Sequence, residues 1–174
     1  MRIALFAAFP QELKHIARNL RIKEKIRAGS FNIALADYSP SSEVVVVESG
    51  MGMHNTKTAF SHVVEQYHPD FILSLGFGGA LYDGASIGDL VWASKVFLVP
   101  AAEEGSPVPH PDRWQQLSTV PEARDICLRL SLQFPVREGS VLTLTNWVDK
   151  SKFIKSLPAE LPLPVSDMET YFFA

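Results

Sequence analysis

Short apolar runs alternate with amphipathic segments along most of the chain. Residues 44–47 form an unbroken β-branched run, which is typical of a strand covered on both faces. Residues 22–38 contain two alternating segments around Gly29, which predicts a β-hairpin. Besides this hairpin, the whole pattern predicts strands at residues 2–8, 43–48 (which includes the run at 44–47), 70–75, 90–99 and 141–145, and helices at residues 11–20, 55–67, 121–134 and 150–157.

The order of these elements favours an α/β fold. Strands that alternate with helices predict a three-layer, mostly parallel mixed sheet with helices on both faces. The apolar run at residues 70–75 predicts another buried strand, whereas residues 100–111 contain four prolines and predict a loop. No repeat or linker interrupts the pattern, so we expect a single domain over residues 1–174.

The composition restricts the classes of partner. Of the 174 residues, 47% are hydrophobic and 20% are charged, and the net charge of -3 provides no basic surface for nucleic acid. No segment reaches the roughly 20 apolar residues that a membrane-spanning helix needs. Cys127 is the only cysteine, so no internal disulfide is possible. We expect a cytoplasmic protein that binds a small molecule.

In a parallel sheet, ligands bind where the loops after the strands meet. Those loops are residues 8–12, 49–55, 76–80, 145–148 and 167–169. Glu12 lies in the first of them, near the start of the first predicted helix. A carboxylate there suits a general base, and it equally suits the positive end of a helix dipole, so both interpretations stand on spacing alone.

Two loops are rich in small residues. Gly76, Gly78 and Gly79 follow one strand, and Ser49 and Gly50 follow another. Without side chains, backbone N–H groups approach a ligand oxygen closely, although tight turns also need glycine. No lysine and serine follow the glycines, so this is not a phosphate-binding loop of the nucleotide triphosphatase type.

Acidic and aromatic residues occupy the last two loops. Asp167 and Glu169 flank Met168, and two carboxylates of this kind suit a pair of neighbouring hydroxyls such as a ribose diol. The alternative is a solvated helix start with Met168 in the core. Trp147 and Phe77 suit stacking on a planar base, or alternatively core packing.

The histidines do not suggest a metal centre. His54, His62, His68 and His110 lack the spacing of metal ligands, and the single cysteine has no partner. The residues predict no metal site and no cofactor.

Residues 3–13, 48–56, 69–91 and 164–169 together resemble, in order, the nucleoside phosphorylase and nucleosidase family. The resemblance extends to 5′-methylthioadenosine/S-adenosylhomocysteine nucleosidases, futalosine hydrolase and hopanoid-associated nucleosidases. It implies hydrolysis of the N-glycosidic bond of a purine-type nucleoside such as methylthioadenosine, adenosylhomocysteine or futalosine. It also implies a homo-oligomer, most simply a dimer.

The resemblance assigns roles to individual residues. Glu12 matches the glutamate that deprotonates the attacking water. Glu169 matches the carboxylate that takes the ribose hydroxyls, and Met168 matches the methionine beneath the sugar. Trp147 and Val148 match an aromatic and aliphatic pair against the base. We therefore expect Glu12, Trp147 and Glu169 to face one pocket lined by the glycine-bearing turns.

The chain also departs from the family pattern. It stops at Ala174, so the family's following strand, the aspartate that protonates the base, and the final helix have no counterpart in this sequence. Phe77 replaces a small or hydroxyl residue and narrows the space near the ribose. A catalytically silent nucleoside-binding module is therefore one alternative, and an unrelated doubly wound binding domain is a weaker one.

Phosphate-dependent cleavage is a further alternative. The family's phosphorylases have arginines near the first loop and just before the glycine loop, and these would bind the phosphate dianion. Residues 8–11 and 73–75 contain no arginine. The sequence therefore favours water as the nucleophile.

Overall fold

The computed structural model describes residues 1–101, 111, 114–118 and 135–173. The chain divides into two compact units, residues 1–77 with Phe173 (unit 1) and residues 78–172 (unit 2). Among the described residues, each unit contains one five-stranded mixed sheet, and the predicted α/β class is confirmed. Unit 1 contains β1 (Arg2–Ala7), α1 (Pro10–Ala17), β2 (Arg21–Ala28), β3 (Phe31–Ser39), β4 (Ser42–Glu48), α2 (Met53–Tyr67) and β5 (Phe71–Ser74).

The sheet of unit 1 has the strand order β2-β3-β4-β1-β5, with β1 parallel to both β4 and β5. Its two faces are covered by different helices, because alternate residues of a strand point to opposite sides. Val45 and Val47 pack in a cluster with Val63 of α2, whereas Val44 packs with Leu13 of α1. This double burial explains the unbroken run at residues 44–47.

The strand predicted at residues 70–75 exists as β5, but the prediction that it is buried is wrong. Phe71, Ile72 and Leu73 are 51%, 36% and 37% exposed. The reason is its position, because β5 is the edge strand and pairs with β1 on one side only among the described strands. An apolar run shows that a strand has side chains suited to burial. Whether those side chains are buried depends on the neighbours of the strand in the sheet.

Unit 2 contains β6 (Gly79–Ala80), β7 (Leu90–Val99), β8 (Gln115–Ser118), β9 (Val136–Leu144), α3 (Lys150–Ser156), β10 (Val165–Asp167) and a 3₁₀ helix (Thr170–Phe173) whose last residue belongs to unit 1. The strand order is β6-β10-β9-β7-β8, and β9 runs parallel to β7 and β10. Phe153 of α3 is fully buried in a cluster with Phe97 and Leu142.

Most of the predicted elements are present with small shifts at their ends. The hairpin forms around Gly29, which has a φ of 63°. β9 begins at Val136, before the apolar run that predicted it, and the short strands β6 and β8 were not predicted. The helix predicted at residues 121–134 and most of the loop predicted at residues 100–111 lie outside the described residues. Within the described part of the chain, no helix is long and apolar enough to cross a membrane.

An ion network ties together the strands of unit 1. Arg2 Nε lies 2.7 Å from Glu43 Oε2, and Lys23 Nζ lies 3.0 Å from Glu43 Oε1 and 2.9 Å from Asp37 Oδ1. Hydrogen bonds from Lys23 and then Arg2 hold the pKa of Glu43 below its ordinary value of 4.5. The same contacts with Asp37 and Glu43 raise the pKa of Lys23 above 10.5.

We expect replacement of Glu43 by glutamine to weaken the acid sensitivity of the fold. Because folding lowers the pKa of this carboxyl, its contribution is complete above the unfolded value and is lost as the pH falls through the folded value. Urea denaturation between pH 3 and pH 7 measures the effect, these pH values being about the range over which carboxyls titrate. Glu24→Gln on the exposed side of β2 is the control; equal acid sensitivity of the two variants would contradict the assignment.

Candidate functional site

Three loops meet at the end of the unit 1 sheet where the parallel strands have their carboxyl ends. This end of the sheet is called the carboxyl edge of unit 1. β1, β4 and β5 are parallel, so the loops that follow them leave the sheet on the same side. Backbone hydrogen bonds hold the three loops together at their roots. Ser49 N donates to Ala7 O at 2.9 Å, and Leu75 N donates to Phe6 O at 2.9 Å. This edge is where the sequence predicts ligand binding.

Glu12 lies at this edge, in the first turn of α1, and it is half-buried. Both of its carboxylate oxygens accept backbone hydrogen bonds. Oε2 accepts from Phe9 N at 3.0 Å, and Oε1 accepts from Phe77 N at 2.7 Å. The first bond caps the helix, as the dipole interpretation requires. The second is made by the loop after β5, so Glu12 both caps α1 and links two loops of the predicted site.

The glycine loop approaches an oxygen of the protein itself. A Cβ atom on Gly76 would lie 3.3 Å from Glu12 Oε1, closer than most side-chain contacts allow. The Phe77 amide is then able to donate to that oxygen. Gly76 therefore makes room for the carboxylate of Glu12. The sequence predicted that the glycines of this loop allow close approach of a ligand oxygen, and here the oxygen belongs to the protein.

Ser49 and Gly50 fix the loop between β4 and α2. Ser49 is fully buried, and its hydroxyl lies 3.3 Å from Ala7 O and 3.0 Å from Gly50 O. Gly50 has a φ of 79°, a left-handed conformation that favours glycine. A Cβ atom there would also lie 3.2 Å from Asn55 Nδ2. The tight-turn interpretation accounts for these contacts.

Unit 2 has a comparable edge. β9 and β10 are parallel, so both loops that follow them lie at the same end of the sheet. These loops contain Trp147 and Val148 after β9, and Met168 and Glu169 after β10. The Trp147 side chain is 87% exposed, whereas Val148 is half-buried against the core cluster around Phe153.

Asp149 begins the helix that follows Trp147 and Val148. Its carboxylate accepts from Ser151 N at 3.1 Å and from Lys152 N at 3.3 Å, as an N-cap should. The hydrogen bonds from the Ser151 hydroxyl and the Lys152 amide hold the pKa of Asp149 below its usual value. The cap fixes the end of the loop that carries the tryptophan.

Gly78 and Gly79 are placed by pairing with β10. Gly79 pairs with Ser166, and a Cβ atom on Gly78 would make an ordinary 3.5 Å contact with Val165. The short strand β6 thus brings the end of the glycine loop beside the strand that leads to Met168.

Asp167 is engaged within the protein. Its Oδ1 accepts from the Thr143 hydroxyl at 2.6 Å, and its Oδ2 accepts from Thr170 N at 2.8 Å. The Thr143 hydroxyl also accepts from Tyr171 N at 2.9 Å. The structure therefore gives Asp167 a structural task in the turn that follows β10.

Sequence reasoning missed Thr143. It is the one hydroxyl within the apolar stretch of residues 141–144, and it is fully buried. A polar side chain inside a buried strand needs a partner, and that need is the signal which would have singled it out.

The two candidate stacking rings both lie outside the core. Phe77 is 73% exposed and Trp147 is 87% exposed, so core packing, the alternative interpretation of each, does not account for them.

The residues with predicted roles are divided between the two units. Glu12, Ser49, Gly50, Gly76 and Phe77 belong to unit 1, whereas Gly78, Gly79, Trp147, Val148, Met168 and Glu169 belong to unit 2. A single pocket faced by Glu12, Trp147 and Glu169 therefore stays a prediction. Among the described residues, no group of three or more histidine, cysteine, aspartate or glutamate side chains is arranged to hold a metal ion.

The sequence is similar to a known protein family and to several nucleosidases. The family model described as "Phosphorylase superfamily" matches residues 2–174. The 5′-methylthioadenosine/S-adenosylhomocysteine nucleosidase of Buchnera aphidicola is 26% identical over 183 residues, which covers 98% of this chain and 74% of the relative. The nucleosidase of the same name from Shewanella loihica is 27% identical over 96 residues, which covers 55% of this chain and only 41% of the relative.

Solved structures share the fold over nearly the whole chain. S-adenosylhomocysteine nucleosidase from Streptococcus pyogenes, in complex with 5-methylthiotubericidin, has a TM-score of 0.80 at 22% identity, covering 99% of this chain and 75% of that one. Futalosine hydrolase of Helicobacter pylori has a TM-score of 0.80 at 16% identity, covering 99% of this chain and 76% of that one. These likenesses confirm the predicted fold.

Proposed function

Because this chain belongs to the phosphorylase superfamily, we propose that it hydrolyses the N-glycosidic bond of a purine-type nucleoside. The proposed substrates are methylthioadenosine, adenosylhomocysteine or a futalosine-like nucleoside. The names of the Buchnera nucleosidase and of the Helicobacter futalosine hydrolase support this substrate class.

The observation that carries the proposal is the placement of Glu12. Its carboxylate is fixed at the edge where three parallel strands end, by one amide from its own helix and one from the glycine loop. An ionised carboxylate has about four acceptor positions, so two such bonds leave others for a water molecule. A base that is held in place in this way loses little freedom when it takes the proton of the attacking water.

The remaining roles follow the chemistry of the bond. As the bond between base and sugar breaks, the ribose becomes oxocarbenium-like, and a nearby carboxylate stabilises that positive charge. We assign this role and the ribose hydroxyls to Glu169, with Met168 beneath the sugar. Trp147, Val148 and Phe77 are assigned to the base, since aromatic faces suit stacking on a planar ring. The loops with Ser49, Gly50, Gly76, Gly78 and Gly79 shape the backbone around the ligand.

Water rather than phosphate is the proposed nucleophile. The Phe77 amide of the glycine loop already binds the carboxylate of Glu12. A phosphate dianion at the same place would meet that negative charge at short range. No arginine lies in residues 8–11 or 73–75 to compensate for it.

We expect nucleoside cleavage to be independent of phosphate. The test follows the release of adenine from methylthioadenosine in phosphate-free buffer and in buffer with added phosphate or sulfate. Equal rates, with free methylthioribose as the sugar product, support hydrolysis. Strict phosphate dependence with 5-methylthioribose 1-phosphate as the sugar product would instead establish phosphorolysis.

The same experiment addresses the silent-binding alternative. A module that only recognises nucleosides would be stabilised thermally by them while leaving them intact. Thermal shift and product release are therefore measured on the same preparation. Stabilisation without product would contradict the proposed hydrolysis while retaining the proposed ligand class.

Three broader proposals accompany the catalytic one. We propose that residues 1–174 act as a single domain, that the protein is cytoplasmic, and that it forms a homodimer. The single cysteine supports a reducing compartment. Light scattering measures the oligomeric state, and a monomeric mass at working concentration would contradict the dimer.

A further inference from the structure

A closed hydrogen-bond network surrounds the Met168-Glu169 pair of unit 2. Thr143 and Asp167 face each other in the register of the parallel strands β9 and β10. The Thr143 hydroxyl donates to Asp167 Oδ1 at 2.6 Å and accepts from Tyr171 N at 2.9 Å. Asp167 Oδ2 accepts from Thr170 N at 2.8 Å. The side chains of Thr143 and Asp167 thus bind each other and also bind the two amides that follow the pair.

The chemistry of the network fixes its geometry. A threonine hydroxyl has a single proton, and here that proton is given to Asp167, which leaves a lone pair for Tyr171 N. Thr143 is fully buried, so water does not replace either bond. Hydrogen bonds to a charged acceptor are stronger than those between neutral groups. The turn from β10 into the 3₁₀ helix is therefore set by Thr143 and Asp167.

The effect of the network falls on Glu169. This residue lies between Asp167 and Thr170, both of which are anchored, and its Oε2 accepts from Met168 N at 3.3 Å. A change in the turn would move the backbone of Glu169 and with it the direction of its carboxylate. Misplacement of a binding group by about 1 Å is known to cost up to about 10²-fold in rate.

We propose that Thr143 and Asp167 are positioning residues that hold Glu169 in the orientation needed to accept the hydroxyls of a ribose. The inference rests on the proposed function for the identity of the ligand. It goes beyond that function because it assigns hydroxyl discrimination to a buried threonine of β9 and to an aspartate that keeps both oxygens for the protein.

The test compares Thr143→Val with Thr143→Ser. Valine keeps the shape of threonine but removes the hydroxyl, whereas serine keeps the hydroxyl. For each variant, kcat/KM is measured with methylthioadenosine and with its 3′-deoxy analogue. We expect Thr143→Val to lower the preference for the hydroxyl-bearing nucleoside by about 10-fold to 100-fold, and Thr143→Ser to retain most of that preference.

A role limited to stability would produce a different result. It would lower kcat/KM equally for the two nucleosides, and that outcome, like an unchanged preference in Thr143→Val, overturns the proposal. If Thr143→Val does not fold, Asp167→Asn provides the same comparison, because an amide cannot accept hydrogen bonds at both of its ends.

Hydrogen exchange separates this inference from the proposed function. The amides of Thr170 and Tyr171 are expected to be protected in the wild-type chain and in Thr143→Ser, and to exchange faster in Thr143→Val. If the wild-type protein cleaves no nucleoside, the proposed function fails; unchanged protection in Thr143→Val would then also remove the positioning role. Faster exchange at these two amides in Thr143→Val would still support the role of the network in setting the turn.

Discussion

Replacement of Glu12 by glutamine is expected to lower kcat/KM for nucleoside hydrolysis by about 10²-fold to 10⁴-fold, the usual contribution of a general base. Glutamine keeps the length of the side chain and one acceptor oxygen, so one of the two backbone hydrogen bonds at the strand ends is retained. What is lost is the ability to take a proton from water. The rate is measured by release of the free base at saturating and at low nucleoside concentrations.

The control for this variant is Glu65→Gln, the same chemical change on the exposed side of α2. It is expected to match the wild-type rate. Because Glu12 also caps α1, thermal unfolding of both variants is compared to show that the fold survives. Wild-type kcat/KM in Glu12→Gln would restrict Glu12 to helix capping and would remove the central step of the proposed mechanism.

The second large effect is expected from Gly139→Ala in β9. A Cβ atom at this position would lie 2.6 Å from Val91 Cγ1 and 2.7 Å from Leu163 O. The second contact is with backbone, so rotation of a side chain does not relieve it. Overpacking of this kind costs about 1 to 3 kcal/mol of the free energy of unfolding, and more where the backbone cannot move. Chemical denaturation monitored by tryptophan fluorescence measures the loss.

Gly78→Ala is the matched control for this prediction. Its Cβ atom would make only an ordinary 3.5 Å contact with Val165. The same substitution should therefore cost much less there. Equal denaturation midpoints for Gly139→Ala and the wild-type chain would show that β9 and its neighbours accommodate the methyl group, contrary to the packing described.

The contrast between these two glycines illustrates what a sequence reports. Gly139 lies in β9, and Gly78 directly precedes β6 of the same sheet. The close approach of Val91 and Leu163, both distant along the chain, makes Gly139 intolerant of a side chain. Gly76 is similar, because its importance derives from Glu12, more than sixty positions away.

The sequence by itself determined the fold class and most of the elements. The β-branched run at residues 44–47, the helical spacing at residues 11–20 and 55–67 and the turn at Gly29 are local signals, and local backbone preferences and burial on two faces produce them directly. The resemblance carried by four separated segments determined the family. These features need only information that is close in sequence or shared with relatives.

The tertiary structure alone decided which neighbour each side chain meets. It placed β5 at a sheet edge and exposed its apolar residues, although the run of residues 70–75 is as apolar as a buried strand. It placed both oxygens of Asp167 in hydrogen bonds within the protein, one of them with the buried hydroxyl of Thr143. The physical reason is that hydrogen-bond partners and strand neighbours are set by the pairing of segments far apart along the chain, and residue type and spacing do not specify that pairing.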